Sequence, residues 1–273
     1  MFIDSHAHLD GPKFESDLDE TLLRAKDAGV SQIICIGASD GRDSNPRTLA
    51  LADRYDQIFA TVGIHPHDAV LADEPTLAAI ESMAQHKKVV GIGETGLDYH
   101  YNLSPKDAQI AAFRRFIRMA KALDLACIVH TREAEEDTLQ ILREEKASEM
   151  RGVFHCFTSS AELAHAAIDL GWYISFSGVL TFRNAQPLRD IAKELPKDRV
   201  LVETDCPYLA PIPYRGRRNE PSFMIQTAQA LAEAWGEDLA TVSQRTVENT
   251  IQLFRLPRVG DFAEDGGEGP LLD

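Results

Sequence analysis

The chain is predicted to fold as a closed α/β barrel of the (β/α)8 (TIM barrel) type, on three observations. Eight short apolar or β-branched runs lie near Phe2, Ile33, Ile58, Val89, Ala126, Val153, Tyr173 and Val200, separated by stretches with helical periodicity. Strand and helix in strict alternation imply parallel strands joined by helical crossovers. Eight such units in 273 residues suit a closed barrel better than an open doubly wound sheet. No Gly-rich phosphate loop follows any strand, which weakens a nucleotide-binding alternative. Five of the runs also end in a residue able to bind metal: His6-Ala7-His8, Glu94, His130, His155 and Asp205. Groups so distant in sequence meet only if parallel strands deliver them to one rim.

The elements follow in order. Phe2 to Ser5 is the first strand, and the helix Asp17 to Ala28 is closed by Gly29, a residue favoured in the left-handed position after a helix. The strand near Ile33 precedes a helix over Arg47 to Tyr55, and the strand near Ile58 a helix over Thr76 to His86. Val89 to Glu94 is the fourth strand, with Ser104-Pro105 starting the helix Lys106 to Ala122. Cys127 to His130 and Gly152 to His155 are the fifth and sixth, followed by helices Glu135 to Glu145 and Ala161 to Leu170. The second of these is capped by Ser159-Ser160 and closed by Gly171. The strand near Tyr173 leads to Gln186 to Lys193, and Val200 to Asp205 leads to Phe223 to Trp235 and Leu239 to Phe254. One barrel domain over residues 1–256 is expected. The remaining 257–273 is acidic, has little to bury and is expected to be a disordered tail.

Composition bounds the function. With 44% apolar residues the chain can bury a large core. It has no apolar run long enough to span a bilayer and no signal-peptide pattern, so no membrane association and a cytoplasmic location are expected. Cys35, Cys127, Cys156 and Cys206 form no CxxC pair and read as reduced, mostly buried thiols. A net charge of −15 argues against gripping an extended duplex by electrostatics alone. The oligomeric state is left open.

His6 and His8 alternate with Ala7 and so share one face of the strand. Glu94, His130, His155 and Asp205 reach the same rim. Imidazole with carboxylate suits Zn2+, Mn2+ and similar ions. Four histidines and two carboxylates exceed the three protein ligands usual for one catalytic zinc. Two divalent ions bridged by a carboxylate would use them all, with Glu94 as the candidate bridge. A single strand histidine is more often a hydrogen-bonded core residue than a ligand. Six buried polar groups without a metal, however, would need many compensating hydrogen bonds. Asp205 is expected to bind one metal and take the proton of the attacking water. Glu203, two residues back on the same face, is expected to orient a ligand or the water. Asp4, in the same relation to His6, reads as structural.

Three features surround this set. His65, in Gly63-Ile64-His65-Pro66-His67, follows the third strand and is a candidate for meeting substrate or acting as an acid. Arg132 follows His130, and Arg215, Arg217 and Arg218 lie in the loop after the last strand. Arginine pairs with phosphate through two parallel hydrogen bonds, so these four are the candidate substrate-binding residues, against the plainer reading of a solvated charged loop. No GxSxG elbow or marked cysteine nucleophile is present, which disfavours covalent serine or thiol catalysis.

The chain resembles the TatD family of metal-dependent hydrolases. The resemblance runs from Phe2-Ile3-Asp4-Ser5-His6-Ala7-His8-Leu9 through Gly91-Ile92-Gly93-Glu94-Thr95-Gly96-Leu97-Asp98-Tyr99, His130-Thr131-Arg132, His155-Cys156-Phe157 and Val202-Glu203-Thr204-Asp205-Cys206-Pro207 to Arg218-Asn219-Glu220-Pro221. It implies a TIM barrel with a divalent metal site at His6, His8, Glu94, His130, His155 and Asp205, with Glu203 tied to that site. Ser159, where the family often has glycine, and the acidic tail are departures. The family implies a nuclease trimming DNA or RNA ends in the 3′ to 5′ direction, with Zn, Mg or Mn as cofactor. Some relatives instead remove D-amino acids from tRNA, so an ester or amide hydrolase is the alternative. A third reading, of another class, is a metal-stabilised binding module without catalysis.

Overall fold

The computed structural model describes residues 1–258. Eight strands pair in parallel and in chain order: β1 (Phe2–Ala7), β2 (Val30–Gly37), β3 (Ile58–Val62), β4 (Val89–Asp98), β5 (Ala126–Arg132), β6 (Gly152–Phe154), β7 (Tyr173–Phe176) and β8 (Val200–Val202). The crossovers are α1 (Leu18–Asp27), α2 (Ser44–Arg54), α3 (Glu74–Met83), α4 (Lys106–Ala122), α5 (Glu135–Glu144), α6 (Ala161–Asp169) and α7 (Gln186–Glu194). After β8 come α8 (Met224–Trp235) and α9 (Leu239–Phe254). The expected (β/α)8 barrel is therefore present. Among the described residues no helix is long and apolar enough to cross a membrane. The acidic tail expected over 257–273 lies, beyond Arg258, outside the described residues.

One group of buried side chains draws on every strand, including Ile3, Ile34, Phe59, Val90, Ile128 and Leu201, together with Leu253 and Phe254 of α9. A cluster fed by all eight strands lines the barrel interior, and α9 covers its strand-start end. The larger cluster joins outward strand residues such as Ile33, Val62 and Phe154 to helix residues such as Leu22, Phe113 and Phe116. Helices end where the sequence suggests, with Gly29 at φ 87° and Gly171 at φ 78°. Ser160 caps α6, accepting from Leu163 N at 3.3 Å. Ser104 does not cap α4; its hydroxyl donates to His67 O at 2.7 Å and ties two rim loops together.

Three strand ends that differ from expectation shape the rim. β4 continues past Glu94 to Asp98, pairing Gly96 with His130 and Asp98 with Arg132. This needs glycine at position 96: a Cβ there would sit 2.0 Å from His130 O. β6 and β8, in contrast, stop short of His155 and Asp205. Cys156 (φ 43°) and Asp205 (φ 57°) adopt left-handed backbone, which ends the ladder and turns the chain inward. Such conformations in non-glycine residues concentrate at functional sites.

Candidate metal centre

The barrel seam builds half of the site. β8 is only three residues long, so β1 closes against the segment just beyond it. Asp205 N donates to His6 O at 2.9 Å, and His8 N donates to Cys206 O at 2.8 Å. Closing the barrel therefore brings His6, His8 and Asp205 together. A buried strut holds the seam: Asp4 accepts from Thr204 N (2.9 Å) and from Thr204 Oγ1 (2.6 Å). Burial pushes the Asp4 carboxyl up to about 7 despite these bonds. Asn219 fixes the following loop by donating to Thr204 O and Tyr208 O.

Glu94 sits between two sets of imidazoles and gives one oxygen to each. Its Oε2 lies 3.3 Å from His6 Nε2 and 3.8 Å from His8 Nε2. Asp205 Oδ1 faces the same pair, 3.3 Å from His8 Nε2 and 3.8 Å from His6 Nε2. Glu94 Oε1 lies 2.7 Å from His155 Nε2, 3.1 Å from His130 Nδ1 and 3.2 Å from His65 Nε2. All six residues picked out as ligand types thus meet around one carboxylate. Behind them Glu203, fully buried, accepts from Cys156 N at 2.7 Å and lies 3.5 Å from His155 Nδ1.

Second contacts assign protons to individual rings. Asp98, with its side chain 1% exposed, accepts at Oδ2 from His130 Nε2 and from His67 Nε2, both at 3.0 Å. An ionised carboxylate only accepts, so His130 carries its proton on Nε2 and, when neutral, turns a bare Nδ1 toward Glu94. His65 is the reverse. His67 N donates to His65 Nδ1 at 3.1 Å, so the neutral His65 ring keeps its proton on Nε2, facing Glu94. Burial lowers the His65 pKa, outweighing Glu94.

The charge balance is compatible with a bound cation. Burial opposes protonation of His155, yet Glu94 and Glu203 raise it well above its ordinary value. His8, beside Asp205, and His130, beside Asp98 and Glu94, are raised against burial in the same way. Burial would likewise raise Glu94, but His155 and His65 hold it well below the usual carboxylate range. Several buried atoms have no hydrogen-bond partner: His6 Nδ1, His8 Nδ1, both nitrogens of His155 and Glu203 Oε2. Buried polar atoms are ordinarily satisfied. Imidazole nitrogens and carboxylate oxygens that lie close enough together to share an ion are the donor set of a divalent cation. Three such groupings occur: His6, His8 and Asp205; His65, Glu94 and His130; and His6, His155 and Glu203.

The centre opens into a cleft of about 610 Å3 whose lining includes His65, Arg132, Cys156, Asp205, Tyr101 and Tyr208. Arg132 thus reaches the site mouth, as expected. The loop arginines do not line the cleft. Arg218 forms a two-pronged pair with Asp17 (2.6 and 2.7 Å) and donates to Lys13 O (2.6 Å), tying the loop after β1. Arg215 lies over the Phe182 ring and donates to Ala210 O, while Arg217 sits near Tyr214. Of the four candidate substrate-binding arginines, Arg132 alone lines the cleft, while the loop three are engaged by acidic, carbonyl and aromatic partners of the loop. All four cysteines are free, and Cys156 alone is not fully buried. Asp98 is not among the residues the sequence picks out, because the fourth apolar run reads as ending at Glu94; its spacing of four from Glu94 in an extended run is the available signal.

A parallel barrel with carboxylate and imidazole donors at the strand-end rim defines a metal-dependent hydrolase class. The family model described as TatD related DNase matches residues 3–255. A Bacillus subtilis protein, described as the uncharacterized metal-dependent hydrolase YabD, is 43% identical over 256 residues, covering 94% of this chain and all of its own. The protein named 3′-5′ ssDNA/RNA exonuclease TatD from Erwinia billingiae is 33% identical, covering 93% of this chain and 99% of its own. Among solved structures, YJJV, a TatD homologue from Escherichia coli K12, superposes with a TM-score of 0.88 at 30% identity, covering 94% of this chain and 98% of its own. The chain belongs to the TatD family of metal-dependent hydrolases.

Proposed function

We propose that the protein is a 3′-5′ exonuclease that hydrolyses phosphodiester bonds at single-stranded ends of DNA or RNA. The observation that carries this reading is the divided Glu94 carboxylate, one oxygen toward His6 and His8 and the other toward His130 and His155. That arrangement suits a pair of divalent ions, Zn2+, Mn2+ or Mg2+, held by His6, His8, Glu94, His130, His155 and Asp205. When bound, such ions activate water and offset charge developing on a phosphoryl group. Asp205 lines the cleft, its side chain 13% exposed, and takes the proton of the attacking water on its carboxylate. Glu203 holds His155 from behind. His65 lines the cleft with its Nε2–H on the side of Glu94, and turns that donor to a phosphate oxygen when substrate binds. Arg132, at the mouth, pairs with the phosphate. The Erwinia relative named as a ssDNA/RNA exonuclease supports the substrate class. Net charge −15 is compatible with gripping an end but not a long duplex.

The test is end-labelled single-stranded DNA incubated with protein reconstituted with Mn2+, Mg2+ or Zn2+. Shortening from the 3′ end is expected. Asp205→Ala should lower kcat/KM by ~10²–10⁴-fold, the range for losing a positioned general base, with folding intact. A strand left whole with all three metals would contradict the nuclease reading and direct attention to aminoacyl-tRNA esters.

A further inference from the structure

Among the described residues, two aromatic side chains stand out among the large apolar groups exposed to solvent, Tyr101 at 55% and Tyr208 at 51%, and both line the cleft. They flank the ligand cluster on opposite sides. Tyr101 meets His67 edge-on at 5.5 Å between ring centres, and His67 shares Asp98 with His130. Tyr208 meets His8 edge-on at 6.1 Å. Each tyrosine also has its own cation: the Arg132 guanidinium is 4.8 Å from the Tyr101 ring centre, and Lys13 Nζ is 5.0 Å from that of Tyr208. Two other tyrosines use their hydroxyls as anchors, Tyr55 on Asp19 and Tyr99 on Asp137. Tyr101 and Tyr208 have no such anchor among the described residues, so hydroxyl bonding does not account for their position.

An exposed aromatic ring costs solvation unless a ligand covers it. A ring beside a cation offers a flat surface to a nucleobase and a charge to the adjoining phosphate, the combination used to hold single strands without sequence preference. We propose that Tyr101 and Tyr208 are stacking subsites that seat unpaired nucleobases on the two sides of the scissile phosphate. This rests on the nuclease reading and deepens it. Only unpaired bases expose a face to stack, so the tyrosines select frayed or single-stranded ends. The Lys13 subsite also gives Arg218 a role: its bonds to Lys13 O and Asp17 hold the loop that presents Lys13.

The experiment compares kcat/KM on a single-stranded oligonucleotide with kcat/KM on the same strand carrying tetrahydrofuran abasic nucleotides at its last three 3′ positions. Both strands are offered to the Mn2+-reconstituted full-length protein. The unsubstituted protein is expected to prefer the base-bearing strand about tenfold, mainly through KM. Tyr101→Ala and Tyr208→Ala should each cut that preference several-fold, and Tyr101→Phe and Tyr208→Phe should keep it. No preference in the unsubstituted protein, or a preference that survives both alanine changes, overturns the stacking subsites while leaving the nuclease reading intact. If both strands stay whole while an aminoacyl-tRNA ester is cleaved, the nuclease reading fails and the subsites fall with it.

Discussion

At the rim where the strands begin, most polar groups find partners within the protein, with Gln32 Oε1 a buried exception. Asn249 of α9 donates to Lys197 O and to Val200 O, Gln32 donates to Pro257 O, and Lys88 donates to Asp56 O. Arg151 and Arg255 converge on Asp124. At the opposite rim, five buried atoms of His6, His8, His155 and Glu203 have no hydrogen-bond partner, and Cys156 and Asp205 hold left-handed backbone. The first rim is built for stability. The second gathers buried imidazoles and carboxylates at a free-energy cost, which a bound cation would offset. One scaffold can do both because parallel strands deliver every C-terminal end to one side, and function is grafted there.

Changes at the two rims should separate cleanly. The largest expected effect after loss of Asp205 is Asp98→Asn. The amide can present an NH2 to His130 Nε2, removing the acceptor that keeps the ring's Nδ1 bare. Metal affinity should fall ~10–100-fold, the usual result of losing a carboxylate behind a ligating histidine. Competition with a chromophoric chelator reads the affinity, and 15N NMR of metal-free protein, at a pH where the His130 ring is neutral, reads the tautomer. An unchanged affinity would make Asp98 a structural residue only.

At the strand-start rim, Asn249→Ala strands the buried Val200 carbonyl and the half-buried Lys197 carbonyl and should cost about 1–3 kcal/mol. Thermal unfolding should show this loss equally with and without metal, with kcat unaltered. A metal-dependent loss would mean that the rims are coupled. The smallest effect belongs to Arg218→Ala. With the Arg218 side chain 28% and Asp17 32% exposed, solvent screens the pair, and ~1 kcal/mol or less is expected. Urea unfolding checks that. A larger loss would make the loop after β1 part of the barrel's stability and not only a carrier of Lys13.

Much of this contrast is legible in the sequence, for reasons tied to particular residues. Alternation of short β-branched runs with helical periods marks all eight strands, and the ligand types at their ends reveal the common rim. What stays hidden depends on tertiary contacts. The extension of β4 to Asp98 depends on Gly96 lying against the carbonyl of His130, a long-range contact. The turn of Arg218 toward Asp17, and away from the cleft, depends on where α1 packs. The difference between His65 and His130 is a matter of protons, set by His67 N and Asp98. Exposure of Tyr101 and Tyr208 follows from the cleft's shape, which residue type does not report.

The central claim is that the imidazoles and carboxylates gathered at the strand-end rim form a two-cation site organised by Glu94. The direct measurement is calorimetric titration of metal-free protein with Mn2+ or Zn2+, in buffers of different ionisation enthalpy, beside Glu94→Gln. Because Glu94, Glu203, Asp205 and Asp98 raise the pKa values of His155, His8 and His130 against burial, these rings hold protons that a cation must displace. Two equivalents bound with proton release, affinity falling as pH is lowered, and loss of both sites in Glu94→Gln are predicted. Binding of two ions undiminished in Glu94→Gln, or no binding to the native protein, would contradict the account.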